Sequence, residues 1–213
     1  MVRATATDDR APPRRRVPQP PAFCARCTYV SFRLEDIGVA EPDVAEALAT
    51  GGAARRAFRS RLGQRVRNHV AILLAIEADL RLGRLLRPAA VVRWYTSVSS
   101  GLSTTALGDS TMDRLDAVVR RINSPQLRVQ SALREVARLH VQLLADPLVP
   151  GFNGILARLL LRYHLGRSNL PPVLFDPDHD RPHLADEAAL VPRLMDLIDQ
   201  SLTLQLQWAT RGR

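Results

Sequence analysis

"ADPLVPGFNGILARLLLRYHLGRSNLPP" occupies residues 145–172 and decides how the rest of the chain is read. A Pro-bounded loop runs into Asn153-Gly154, then into an apolar stretch with arginines, and stops at Asn-Leu-Pro-Pro. An Asn-Gly pair at the start of a helix, followed by a guanidinium one turn on, is a layout that holds anions. Backbone N–H groups at a helix start favour phosphate oxygens, and an arginine assists them.

Working outward, the apolar periods predict helices almost throughout. "EPDVAEALAT" (41–50) starts with Pro42 and Asp43, which suit a first turn, and Gly51-Gly52 stops it. Residues 53–86 read as one or two helices, with Val66, Val70, Leu73, Leu74, Glu77 and Leu80 on a mostly apolar stripe and Gly63 as a break. Pro88 opens the next helix, a Ser/Thr/Gly loop follows, and Ser110 or Thr111 caps "MDRLDAVVRRIN". Ser124-Pro125 is expected to open the longest helix. The terminal segment from Asp186 carries Pro192 as a kink candidate. "TYVSFRL" (28–34) alternates and is expected as a short strand or extended arm. The expected class is all-α, a bundle of about seven helices. One domain over 23–213 follows an Arg/Pro-rich disordered tail over 1–22.

Composition narrows the chemistry. The 213 residues are 46% hydrophobic but 5% aromatic, so Leu, Ala and Val must build the core. All 30 basic residues are arginine, which excludes a lysine nucleophile, a Schiff base and a P-loop lysine. The net charge of +9 falls partly in the tail (Arg3, Arg10, Arg14, Arg15, Arg16) and partly along helices (Arg55, Arg56, Arg59, Arg61, Arg65, Arg67). Few aromatics accompany these cations for base stacking, so nucleic acid is not an expected partner. No 18-residue apolar run suits a membrane span, and no apolar segment follows the N-terminal charges as in a secretory signal; the expected location is cytoplasmic. Cys24 and Cys27 form a lone C-x-x-C, and His179 with His183 is the only other pair to complete four zinc ligands. Two reduced thiols, and a polar surface loop for "DPDHDRPH" (176–183), are the simpler expectation, so no metal and no cofactor are assigned.

The run from Arg138 to Phe175 resembles the Fic/Doc family, whose loop reads H-P-F-x-[DE]-G-N-G-R-x-x-R before an apolar helix and a Pro-Pro turn. "VVRWYTSVSSGL" (91–102) is similar to an upstream family helix, and the resemblance spans roughly residues 85–200. It implies a Fic-like fold with Asn153, Gly154 and Arg158 at an anion seat. It also exposes losses. The catalytic His falls on Pro147, or on Asp146 with one inserted residue; the metal-binding acid falls on Pro150 or Gly151; the first Arg falls on Ile155. Without base, metal ligand and one cation, AMP transfer as the family performs it is not expected. The β-hairpin flap that aligns a family target has no counterpart here, and Arg181 is what remains of a later family element.

Three readings follow. One is a metal-independent small-molecule reaction, of the kind found in specialised biosynthesis, in a loop pocket made apolar by Leu148, Val149, Phe152 and Ile155. It would use Asp146 as the catalytic group, with Trp94, Tyr95, Phe152, Asn153, Gly154 and Arg158 around the ligand and His164 near by; His140, six residues before Asp146, is off its face and is expected as an exposed or core histidine. Another is a non-catalytic pseudoenzyme that binds or regulates a protein partner. The last is a divergent nucleotidyl- or phospho-transferase. A second copy is a further candidate partner.

Overall fold

The structure is a computed structural model that describes residues 21–49, 60–99, 107–124, 128–149 and 151–211. Eight α-helices make it up: α1 (Pro21–Arg33), α2 (Glu41–Ala49), α3 (Arg61–Arg81), α4 (Pro88–Val98), α5 (Asp109–Asn123), α6 (Val129–Ala145), α7 (Asn153–Arg167) and α8 (Glu187–Arg211). A short 3-10 helix, Arg181–Ala185, precedes α8. No strand occurs among the described residues, so the all-α expectation holds. The tail expected over 1–22 lies outside the described residues as far as residue 20, and Pro21 already opens α1. The Gly51-Gly52 stop and the cations Arg55, Arg56 and Arg59 also lie outside them.

Several local expectations need correction. Residues 28–33 are helical, not extended. Thr28 and Val30 are poor helix formers, but Phe23, Cys24, Cys27, Val30, Ser31 and Leu34 recur at helical spacing and are all buried, so packing overrides propensity. The N-cap of α5 is Gly108, not Ser110 or Thr111, and Ser60 caps α3 by accepting from Gly63 N at 3.1 Å. Gly63 therefore sits in the first turn of α3 and is no break. Ser124 closes α5 instead of opening α6, because a residue before proline is pushed to extended backbone; its ψ is 132°. The longest helix is α8, with 25 residues, and it runs through Pro192. Leu74 does not join the buried stripe of α3. It is 51% exposed, and the inward face is instead Val66, His69, Val70, Leu73, Ile76, Glu77 and Leu80.

α7 is the axis of the fold. Every residue from Gly154 to Gly166 is buried, Arg158, Arg162 and His164 included. Ile155, Leu156, Leu159, Leu160 and Tyr163 face a core shared with α1, α3, α4 and α5. Leu161 and Leu165 face a second core with α6, α8 and the chain around Val173 and Phe175. Tyr163 keeps its hydroxyl satisfied by donating to Arg84 O at 2.7 Å.

Three histidines are sealed into these cores. His69 lies edge-on to Phe32, His140 stacks on Phe175, and His164 lies on α7. Burial pushes His69 and His140 down to about 3 and His164 to about 4. An unfolded histidine titrates near 6.5, so between these values the unfolded chain binds more protons and stability rises with pH. Each histidine removes about 1.4 kcal/mol per pH unit as the pH falls below 6.5. Urea unfolding at a series of pH values is expected to give constant stability above pH 7 and a steep loss from pH 6 to 4.5. His140→Phe is expected to make that slope shallower by about one third.

Candidate functional site

The site is built where α7 begins. The loop before it takes two successive left-handed residues, Gly151 (φ 60°) and Phe152 (φ 35°). The strain at Phe152, of order 1–3 kcal/mol, is opposed by the Arg65 guanidinium 4.9 Å above its ring. Asn153 secures the loop: its Nδ2 donates to Leu143 O, and its Oδ1 accepts from Leu148 N at 3.2 Å. Asn153 thus bonds backwards to α6 and the loop, with both ends of its amide engaged, and does not cap the N–H groups of its own helix. Leu148 and Val149 turn inward and join the core.

The start of α7, where an anion seat is expected from the sequence, faces a carboxylate from the same chain. Glu35 follows α1, and its Oε1 accepts from Arg158 Nη2 at 2.9 Å. The same nitrogen donates to Ser31 O at 2.7 Å. A Cβ on Gly154 would lie 1.9 Å from Glu35 Oε1, so glycine is what lets the carboxylate approach the helix start. Arg158 is buried, and desolvation lowers its pKa while Glu35 raises it. The cation expected to hold a phosphate is held against Glu35 and the end of α1.

The other expected site residues do not converge on this seat. Asp146 caps the C-terminus of α6, its side chain is 76% exposed, and it pairs with Arg114 at 2.6 Å. Trp94 and Tyr95 are both buried, Trp94 against Tyr163 and Tyr95 beside Leu148, Val149 and Leu156. The cavity there is about 10 Å³, too small for a metabolite. His140 and His164 are core residues. Arg181 bridges Asp36 through two bonds of 2.9 Å and donates to Arg33 O.

Sequence reading missed a polar seam between α1, α3 and α7. Thr28 Oγ1 and His69 Nδ1 are 3.0 Å apart. Arg162 donates to Cys27 Sγ at 3.4 Å and lies over the Phe23 ring. The cavity among Cys27, Ser31, His69, Arg158 and Arg162 measures about 30 Å³, room for one or two water molecules. Burial raises the Cys24 thiol and pushes Cys27 up to about 11, so neither is a ready nucleophile or ligand. No group of three or more His, Cys, Asp or Glu able to hold a metal stands together among the described residues. The segment 176–183 is not wholly surface either: Asp180 is buried, accepts from Asp176 N at 2.6 Å and pairs with Arg193. A roomier cleft of about 450 Å³ opens between this segment and the end of α1, lined by Arg33, Asp36, Asp178 and Arg181.

Gly154→Ala is expected to displace Glu35 and lower stability by about 1–3 kcal/mol, although alanine is the better helix former. In a Glu35→Ala background the same change is expected to cost little, and a double-mutant cycle of denaturation midpoints measures that coupling. No family model matches the chain, and no curated protein is significantly similar to it.

Proposed function

We propose that this chain is a Fic-like helical scaffold that acts by binding and not by group transfer. The observation that carries this reading is the Glu35 carboxylate at the start of α7, bonded to Arg158 at 2.9 Å beside Gly154. A phosphate would have to displace that carboxylate and would meet no replacement base, since Asp146 points to solvent and is neutralised by Arg114. The loop pocket is packed with Tyr95, Leu148, Val149 and Leu156, which disfavours the metal-independent reaction in that pocket.

One observation favours a second reading, a small-molecule ligand. The cleft beside Arg33 and Arg181 has the volume of a metabolite site and places two guanidinium groups near two carboxylates.

Thermal melting with ATP, GTP, ADP and pyrophosphate, with and without Mg²⁺, tests the main reading, because binding raises the melting temperature by mass action. The expected result is no shift for the full chain at millimolar nucleotide. In Glu35→Ala, a weak shift with pyrophosphate that does not need Mg²⁺ is expected, and it disappears when Arg158→Ala is added. A Mg²⁺-dependent rise in the unaltered chain, or nucleotide turnover by it, would sink this reading.

A further inference from the structure

We propose that the outer face of α3 docks an amphipathic helix of a partner protein with one acidic edge; this rests on the binding reading above. The sequence of α3 from Val70 to Ala78 contains one charged residue, Glu77, and that one is buried. α3 is therefore apolar on two sides. Its inner side packs on α1, α2, α4 and α7. On its outer side Ala71, Leu74 and Ala75 are exposed and Ala78 is half-buried. Leu82 continues this side at the helix end and is 63% exposed. At about 100° per residue, positions 71, 74, 75, 78 and 82 share one face. Leu74 rises between small residues, and the alanines let a second helix approach closely. A helix laid into such a stripe is a common mode of peptide recognition.

Charge selects the occupant. Arg67 and Arg81 flank Leu74, each one heptad away on the same side of the stripe, and Arg67 also donates to Gln64 Oε1 within α3. On the opposite edge of the stripe Asp79 pairs with Arg84 at 3.2 Å, so the basic border is the side of Arg67 and Arg81. A second copy fits poorly. An antiparallel α3 centred on Leu74 would set Arg67 of each copy against Arg81 of the other, twice over, and like charges at such positions oppose pairing. A partner helix with a Leu/Ala stripe and Glu or Asp along the edge meets the apolar face and the arginines together.

The probe is a pair of synthetic helical peptides with the same Leu/Ala stripe, one edged with Glu and the other with Lys, titrated with the full chain by fluorescence anisotropy. The Glu-edged peptide is expected to bind at least about tenfold more tightly and to weaken in high salt. Leu74→Glu is expected to abolish binding while leaving the melting temperature unchanged, because the side chain is exposed. Arg67→Glu with Arg81→Glu is expected to reverse the preference between the peptides. Several results would overturn the proposal: no binding of the Glu-edged peptide at millimolar concentration, equal binding of both peptides, or binding indifferent to Leu74→Glu. A dimer in sedimentation that Leu74→Glu dissolves would overturn it too, by giving the face to a second copy. None of these outcomes depends on the anion seat of α7, so they are separable from the nucleotide test.

Discussion

The pairing of Arg158 with Glu35 governs this molecule. An arginine buried in the central helix is intolerable without a compensating charge, because removing a cation from water costs several kcal/mol. Glu35 supplies that charge only if the chain after α1 comes to the start of α7. The absence of a side chain at Gly154 then leaves room for the carboxylate. The Ser31 carbonyl takes a second bond from the same guanidinium, so α1 is held by backbone as well as by charge. This contact ties the end of α1 to the start of α7.

The seam of Cys27, Thr28, His69 and Arg162 shows how polar groups are kept in a Leu-rich interior. Thr28 pairs with His69, Phe32 packs edge-on against the imidazole, and Arg162 spends its charge on a thiol and an aromatic face. Such groups contribute little net stability but fix the rotation of each helix, since turning α1 by one residue would leave several donors unpaired. The same burial keeps the thiols protonated, so the C-x-x-C spacing serves packing here.

Much of the helical layout was legible locally. Pro88 at the start of α4, the acids and proline of α2 and the Pro-Pro stop after α7 are short-range signals, and they placed these elements well. The errors arose where a distant partner decides. Thr28 and Val30 look strand-like until the neighbours from α7 are known. His69 and Leu74 are five places apart on α3, one buried against Thr28 and Phe32 and the other exposed, and only the positions of the neighbouring helices tell which side is inward. Asn153 and Arg158 stand out in the sequence as candidates for an anion seat at a helix start. Their partners, Leu143 O for one and Glu35 for the other, could not be read from the loop: Glu35 lies 123 positions from Arg158 in sequence. The polar seam carried no local signature at all, because its members are spread over three helices.

The ties of α1 have a consequence for the order in which the native state is assembled. Cys27 meets Arg162 across 135 positions, and Asp36 meets Arg181 across 145. As the ribosome releases the chain from its N-terminal end, α1 emerges before α7, while the helix that it must cover is still unmade. Closing loops this long costs chain entropy before any contact rewards it. A nascent chain that has reached only the end of α6 holds the outer parts of the bundle without its axis. Consolidation is therefore a late event, and α1, although made before α7, settles only after it.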